Sequence, residues 1–214
     1  MKIIAHRGAS AFCRENTLAA FQRAMEMGAD FIETDVQRSK DGVLVLYHDY
    51  VLPDGRALKD MTFAELKKYE IPRVLDLLKI APARVKLNLE IKNDDNLYPS
   101  AELDLLRLLN ESKWAHKNRI LLSSFDLSCL KRARLLDEKI KIGRLARKFN
   151  LKEILALNCV SLHMSVKRID KKIIDACHRR GLKVFVYTVN DIKTAQTLRK
   201  MKVDAVFSDN PKLF

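Results

Sequence analysis

Short apolar stretches alternate with amphipathic stretches along all 214 residues, and the connections between them are short. Runs of apolar and β-branched residues predict strands, whereas apolar positions three or four apart predict helices. Leaving aside one hairpin, the pattern predicts eight strands at 2–6, 31–37, 85–91, 120–124, 141–145, 159–163, 184–189 and 205–208. Eight strands separated by helices predict an α/β protein of the (β/α)8 TIM-barrel class, as one domain over residues 1–214. An open doubly wound sheet is the alternative, but no Gly-x-Gly-x-x-Gly turn follows any strand.

A hairpin interrupts this alternation after the second strand. Lys40-Asp41-Gly42 is a tight-turn signal, and Val43–Tyr47 returns at once as a strand. The connection is too short for a parallel crossover, which needs roughly a dozen residues. With Asp41 and Gly42 as the two central residues, the pairing places Asp35 opposite His48. Only a short insertion follows before the next helix.

Helix boundaries are marked by capping residues. Asn16-Thr17 opens the first helix and Gly28 ends it, while Thr62 and Glu65 form a capping box. Further helical patterns begin at Pro72 and lie near 101–110, 126–136, 147–156, 170–180 and 191–200, the last two starting at aspartates. Trp114 is expected to be a partly buried anchor, and His116 a surface residue.

Composition is that of an ordinary soluble globular protein, with 48% hydrophobic and 31% charged residues. The net charge of +13 arises entirely after residue 100, where 25 basic residues face 12 acidic ones. Because no basic cluster is interleaved with aromatics, solvated lysines are the expected explanation and no nucleic-acid partner is predicted. Without a signal-peptide core or a membrane-spanning run, the predicted location is the cytoplasm. Four scattered cysteines indicate reduced thiols.

Candidate chemistry gathers where predicted strands end, which in a barrel is the active face. Three carboxylates with open coordination positions suit a hard divalent cation, Mg²⁺ or Ca²⁺. Arginine and lysine add donors for an anionic group such as phosphate, and two histidines can act as acid and base. The candidates are His6, Arg7, Glu33, Asp35, His48, Glu90 and Lys92. His163 also ends a strand and either lines the site or packs beside it.

Motifs spread from end to end of the chain resemble the glycerophosphodiester phosphodiesterase family in order and spacing. They are His6-Arg7-Gly8, Glu15-Asn16-Thr17, Gly28-Ala29-Asp30, Glu33-Thr34-Asp35-Val36-Gln37, Lys40-Asp41-Gly42, His48-Asp49, Leu89-Glu90-Ile91-Lys92, Ser123-Ser124-Phe125-Asp126, Tyr187-Thr188-Val189-Asn190 and Asp209-Asn210-Pro211. The resemblance implies a metal-dependent phosphodiesterase on a TIM barrel, which hydrolyses glycerophosphodiesters to glycerol 3-phosphate and an alcohol.

Carried over residue by residue, the resemblance also implies roles. Glu33, Asp35 and Glu90 would bind one divalent cation. His6 and His48 would serve as acid and base, and Arg7 and Lys92 would hold the phosphate. The mechanism implied is attack of the glycerol 2-hydroxyl on phosphorus, formation of a cyclic phosphate, and its opening by water.

The chain departs from the family pattern mainly after His48, where the insertion is short, so the identity of the alcohol stays open. An alternative is lysophospholipase D-type hydrolysis by the same chemistry, and the basic second half would suit peripheral contact with an anionic membrane. An alternative from another class is a barrel that binds anionic lipid or nucleic acid without turnover. The converging carboxylates and histidines favour the enzyme. Oligomeric state is not predicted.

Overall fold

The computed structural model describes residues 1–112 and 117–213. In this part of the chain the strands are β1 (Lys2–Ala5), β2 (Phe31–Arg38), β3 (Leu44–Leu46), β4 (Lys86–Ile91), β5 (Ile120–Ser124), β6 (Lys141–Ala146), β7 (Ser161–Ser165), β8 (Lys183–Tyr187) and β9 (Ala205–Ser208). The α-helices are α1 (Leu18–Glu26), α2 (Phe63–Leu66), α3 (Val74–Ile80), α4 (Ala101–Glu111), α5 (Leu127–Leu136), α6 (Leu151–Ala156), α7 (Lys171–His178) and α8 (Ile192–Lys200).

All strands except β3 run parallel and close into a barrel. β1 pairs with β9 on one side and with β2 on the other, so the sheet has no open edge between its first and last strands. One apolar cluster packs between the strands and the surrounding helices, and a smaller one fills the inside. The predicted (β/α)8 TIM barrel is confirmed. The assignment of residues 1–214 to a single domain stays a prediction.

Helix starts follow the predicted capping chemistry. In the capping box of α2, Glu65 Oε2 accepts hydrogen bonds from the Thr62 backbone N–H at 2.8 Å and from its hydroxyl at 2.7 Å. The carboxylates of Asp170 and Asp191 accept backbone N–H groups in the first turns of α7 and α8, each at 2.8 Å. These bonds satisfy donors that have no partner inside a helix.

The hairpin between β2 and β3 forms, but with a different register from the predicted one. Val36 pairs with Leu46, so Asp35 lies opposite Tyr47 and not His48, and the Tyr47 N–H donates to the Asp35 carbonyl at 3.0 Å. The loop has three residues, and only Gly42 adopts a positive φ, of 82°. A two-residue type I′ turn would need positive φ at both central positions, whereas a three-residue loop needs it at one.

The pairing register gives the barrel a regular stagger. Ile4 of β1 and Lys86 of β4 both pair with Phe31 of β2, the strand between them. The same relation repeats around the barrel: Asn88 and Lys141 pair with Leu121, Gly143 and Lys183 with Ser161, and Phe185 and Lys2 with Ala205. Each second strand is therefore displaced by two residues, and four such steps give the total stagger of eight expected for this fold. Interior side chains of alternate strands consequently lie in layers of four.

Trp114 and His116 lie outside the described residues, so their predicted roles stay untested. Among the residues that are described, no helix combines the length and the apolar character needed to cross a bilayer.

Candidate active site

A cavity of about 170 Å³ opens at the carboxyl ends of the strands. The uppermost layer of four side chains from alternate strands forms much of its wall: His6, Glu90, Leu145 and Tyr187. The other lining residues are Arg7, Glu33, His48, Asn88, Lys92, Phe125, Thr188 and Phe207. Six of the seven candidate residues therefore line one cavity. The seventh, Asp35, lies beside it and is only 1% exposed.

The three candidate carboxylates form one tight group. Glu33, Asp35 and Glu90 each offer an oxygen within 4.8 Å of the others, which makes this a group that could hold a metal ion. Burial, followed by the charges of Asp35 and Glu90, raises the pKa of Glu33 well above its ordinary value. Burial and the charge of Asp35 raise the pKa of Glu90 to about 7. Three carboxylates at this spacing need added positive charge to be ionised together.

Asn16 holds Asp35 in place from the loop that precedes α1. Its side-chain amide donates to Asp35 Oδ2 at 2.9 Å, while its carbonyl oxygen accepts the Thr34 hydroxyl at 2.6 Å. Asn16 is buried and has a φ of 55°, a left-handed conformation that asparagine tolerates better than most residues. From the sequence alone, only a helix-capping role is predicted for Asn16. The Glu15-Asn16-Thr17 motif was the available signal.

Arg7 and Lys92 lie against the carboxylates. The Arg7 backbone N–H donates to Glu33 Oε2 at 2.9 Å, and its Nε lies 3.3 Å from Asp35 Oδ2. Lys92 Nζ lies 3.5 Å from Glu90 Oε1 and 3.9 Å from Asp35 Oδ1. Both cations are mostly buried, so they offset part of the negative charge and leave donors at the cavity surface.

Each candidate histidine is paired with an aspartate through Nδ1. His6 Nδ1 lies 2.7 Å from Asp209 Oδ1, and His48 Nδ1 lies 2.6 Å from Asp49 Oδ1. Because a carboxylate accepts the Nδ1 proton, it fixes the ring orientation and leaves Nε2 free for chemistry. The two aspartates are residues for which sequence reasoning assigned no role, although both belong to the quoted motifs. Their function depends on which ring nitrogen they reach, and a motif does not show that.

His163, the additional candidate, packs inside the barrel below the cavity. Its ring is fully buried and stacks on Phe185 with centroids 4.9 Å apart, and Nε2 lies 2.8 Å from the Ser161 hydroxyl. Burial lowers its pKa to about 3, so the ring is neutral. Of the two roles considered for His163, packing is the one observed.

Comparison with known proteins identifies the group of proteins that shares this arrangement. The profile of the Glycerophosphoryl diester phosphodiesterase family matches residues 6–213. A glycerophosphodiester phosphodiesterase from Caldanaerobacter subterraneus is 34% identical over 98% of this chain and 94% of its own length. The chain belongs to this family. It is therefore a phosphoric diester hydrolase.

Solved structures agree with this family assignment. A phosphodiesterase from Oleispira antarctica, determined in complex with the product sn-glycerol-3-phosphate, superposes with a TM-score of 0.92 at 30% identity, over 99% of this chain and 94% of that one. A glycerophosphodiester phosphodiesterase from Thermotoga maritima gives a TM-score of 0.85 at 27% identity, over 100% and 96% of the two chains.

One side of the cavity is aromatic. The ring of Tyr187 lies edge-on to Phe125, with centroids 6.3 Å apart, and edge-on to Phe207 at 6.1 Å. Arg147 lies over the outer face of Phe125, 4.5 Å from its centroid. The carboxylates and histidines thus face an apolar wall, so one side of a bound molecule meets charge and the other meets rings.

Proposed function

We propose that this chain hydrolyses glycerophosphodiesters to glycerol 3-phosphate and an alcohol in a reaction that requires a divalent cation. The observation that carries the proposal is the buried group of Glu33, Asp35 and Glu90, whose oxygens lie within 4.8 Å of one another in contact with a cavity that holds two histidines. A barrel that only binds anionic lipid or nucleic acid would not need three carboxylates converging beside two histidines. Membership of a diester hydrolase family supports the same conclusion.

The donor set fits a hard cation. Three carboxylate oxygens match the ligand preference of Mg²⁺ and Ca²⁺. Burial, and then the negative charge of neighbouring carboxylates, raises the pKa of Glu33 and of Glu90, and a bound cation would offset that charge. When bound, such an ion acts as a Lewis acid on a phosphate oxygen and orients the substrate. Glu33, Asp35 and Glu90 would hold it, and Asn16 keeps Asp35 in position through the 2.9 Å hydrogen bond.

Arg7 and Lys92 would bind the phosphate of the substrate. Arg7 Nη1 donates to both carboxylate oxygens of Glu15 at 2.9 Å, and these hydrogen bonds fix the guanidinium beside the cavity. Lys92 lies on the opposite side of Asp35 and is 10% exposed. A phosphodiester placed between them would receive charge-assisted hydrogen bonds without a large movement of either side chain.

His6 and His48 would move the protons. With Nδ1 committed to Asp209 or Asp49, the Nε2 of one ring can accept the proton of the attacking hydroxyl. The Nε2 of the other ring can donate a proton to the departing alcohol oxygen. The resemblance to the family makes the glycerol 2-hydroxyl the attacking group, after which water opens the cyclic phosphate. Each ring then returns to its starting protonation state.

The proposal is tested by assaying a panel of glycerophosphodiesters with Mg²⁺, with Ca²⁺ and with chelator. We expect activity to be lost in chelator and restored by one of the two ions. His6→Ala, His48→Ala and Glu33→Gln should each lose about 10²-fold or more in kcat. His178→Ala is the matched control, because His178 pairs with Asp204 at 2.9 Å on the last turn of α7. Full activity in chelator, or in the double histidine variant, would overturn the proposal.

A second candidate is hydrolysis of lysophospholipids by the same residues. The observation that favours it is the exposure of Phe12 and Val51, 56% and 49% respectively, on two loops that follow β1 and β3. An acyl chain would find apolar contacts there. Including lysophospholipids in the panel decides between the two substrates. A Phe12→Ser variant in which KM rises for lysophospholipids alone would support the second candidate.

Three further properties predicted from the sequence stay predictions. They are the location in the cytoplasm, the peripheral contact with an anionic membrane, and the absence of a nucleic-acid partner. The basic residues that prompted the membrane prediction lie mostly on the second half of the barrel. Subcellular fractionation and vesicle sedimentation measure the first two directly, and a gel-shift assay with unrelated RNA and DNA measures the third.

A further inference from the structure

Four lysines surround the other end of the barrel, opposite the catalytic cavity. Each is the first residue of an alternate strand: Lys2 of β1, Lys86 of β4, Lys141 of β6 and Lys183 of β8. Each lies two residues before an interior position, and the two-residue stagger places all four in one layer. We call this layer the lysine ring. The layer lies at the mouth of the barrel, where Lys2 and Lys183 are exposed, and not in the apolar interior.

The ring lysines interact with one another. Burial, and then the charges of Lys2, Lys141 and Lys183, lowers the pKa of Lys86. The Lys86 ammonium lies 5.5 Å from the centroid of Phe31, a ring that belongs to the layer just above. Like charges gathered at one mouth of the barrel repel one another, so an anion placed among them is favoured.

Few nearby carboxylates neutralise the ring. Asp30 contacts Lys2 Nζ at 3.1 Å. Asp204, which lines the cavity at this end of the barrel, accepts the Val184 N–H at 2.8 Å and lies 2.9 Å from His178 Nε2, both through Oδ2. In the part of the chain that the structure describes, Lys86 and Lys183 form no ion pair with a carboxylate.

A cavity of about 450 Å³ opens at this end of the barrel. Lys2, Lys86 and Lys183 line it together with Phe31 and Phe185. Arg199 of α8 and Lys202, just after that helix, add further positive charge to the lining. The positive groups thus surround a concave space. A membrane or a nucleic-acid strand would touch only the outer rim, whereas a small anion could enter.

We propose that the lysine ring binds a small multivalent anion of the phosphate or pyrophosphate class at the amino-terminal mouth of the barrel. Ammonium groups bind phosphate oxygens as point charges with rotatable donors, so Lys2, Lys86 and Lys183 around the cavity suit an anion with oxygens pointing in several directions. Lys141 completes the ring outside the cavity, where its Nζ donates to the Asn118 carbonyl at 3.2 Å. A monovalent anion would leave most of the repulsion in place. The site is separate from the catalytic cavity and shares no lining residue with it.

The first test is isothermal titration of the full chain with sodium pyrophosphate in metal-free buffer. We expect saturable binding that K86Q/K183Q weakens by at least about tenfold, corresponding to 1.4 kcal/mol. K67Q/K68Q removes the same charge from two exposed lysines elsewhere and should leave the affinity unchanged. Removing ring charges relieves repulsion, so circular dichroism should show K86Q/K183Q to be folded and at least as thermally stable as wild type.

Three results of the pyrophosphate titration would contradict the proposed anion site. Absence of saturable binding to the wild-type chain, equal affinity in K86Q/K183Q, or an equal loss in K67Q/K68Q would each overturn it. Binding of anionic vesicles or of an RNA oligonucleotide that depends on the ring, in a protein that ignores pyrophosphate, would also overturn it. Such a result would assign the ring to a macromolecular surface.

A second readout needs no substitution. Acetic anhydride modifies deprotonated amines, and a lysine whose pKa is lowered reacts early at a given pH. We expect pyrophosphate to protect Lys86 and Lys183 from acetylation, measured peptide by peptide by mass spectrometry, while Lys67 and Lys68 react as before. Equal acetylation of Lys86 with and without pyrophosphate would contradict the proposed site.

Discussion

His6 Nδ1 and Asp209 Oδ1 lie 2.7 Å apart, which joins the end of β1 to the residue that follows β9 behind the catalytic cavity. Asp209 also accepts the Ser10 hydroxyl at 3.0 Å and the side-chain amide of Asn190. Burial alone would raise the pKa of Asp209, but these hydrogen bonds and the charge of His6 hold it at about 2. The carboxylate is therefore ionised at neutral pH and keeps the His6 ring in one orientation.

Replacing this carboxylate by an amide should impair catalysis without unfolding the barrel. Asp209→Asn can offer its NH2 group to Nδ1, which favours the opposite tautomer and misdirects the Nε2 proton. We expect kcat to fall about 10- to 100-fold, with a changed pH profile of kcat/KM. Asp49→Asn should have a smaller effect, because the Asp49 side chain is 68% exposed. Unchanged kcat in Asp209→Asn at every pH would show that Asp209 does not orient His6.

Removing the Asn16 side chain should weaken cation binding. Its amide positions Asp35, and outer partners of metal ligands commonly contribute 10- to 100-fold to affinity, so we expect about that loss in Asn16→Gly, measured calorimetrically with Mg²⁺ or Ca²⁺. Glycine is suitable because residue 16 has a φ of 55°. Asn158→Gly is the matched control, an exposed asparagine at φ 51° far from the cavity. An equal loss in both variants would point to backbone effects instead.

The metal-free protein should lose stability as pH rises toward neutrality. The folded pKa of Glu90 is about 7, above its ordinary value of 4.5, so the folded state binds more protons between these values than the unfolded state. Its contribution is present below about pH 4.5 and lost by about pH 7, on the order of 3 kcal/mol. Glu90→Gln should flatten this dependence in urea unfolding with chelator present. A steeper slope in Glu90→Gln would contradict the assignment.

Gly143 should not tolerate a side chain while His163 is present. A Cβ at this position would lie 2.5 Å from His163 Nε2 and 2.9 Å from the Ser161 hydroxyl. We expect Gly143→Ala to lower the free energy of unfolding by about 1–3 kcal/mol. In the His163→Ala background the same change should cost little, because the clashing ring is gone. A double-mutant cycle without coupling would mean that the strain lies elsewhere.

Hydrophobic patterning was sufficient for the barrel because each strand and helix carries its own local signal. The capping box at Thr62 and the glycine at Gly28 are local in the same sense, and both are observed as predicted. The predicted strand ends also bring the candidate residues to one face, since parallel strands share a direction. The order of strands and helices along the chain is therefore enough to predict both the barrel and the face that carries the candidate residues.

Features that depend on register could not be obtained in this way. The pairing of Asp35 with Tyr47 follows from a three-residue loop, and one residue of loop length decides it. Asp209 reaches His6 only because the barrel closes β9 against β1. The lysine ring depends on the stagger of four alternate strands. Because its members lie far apart in the sequence, no local pattern predicts it.

The four strands that begin at the lysine ring are the strands whose far ends form the top layer of the catalytic cavity. Positive charge is concentrated at the lysine-ring mouth, whereas at the other mouth Arg7 and Lys92 lie against the three carboxylates and offset part of their charge. Adsorbed on a negatively charged support, the molecule would orient with the ring against the support and the catalytic cavity toward solvent. Immobilisation on a cation-exchange matrix should therefore preserve turnover of freely diffusing diesters, while attachment through the opposite end should block it.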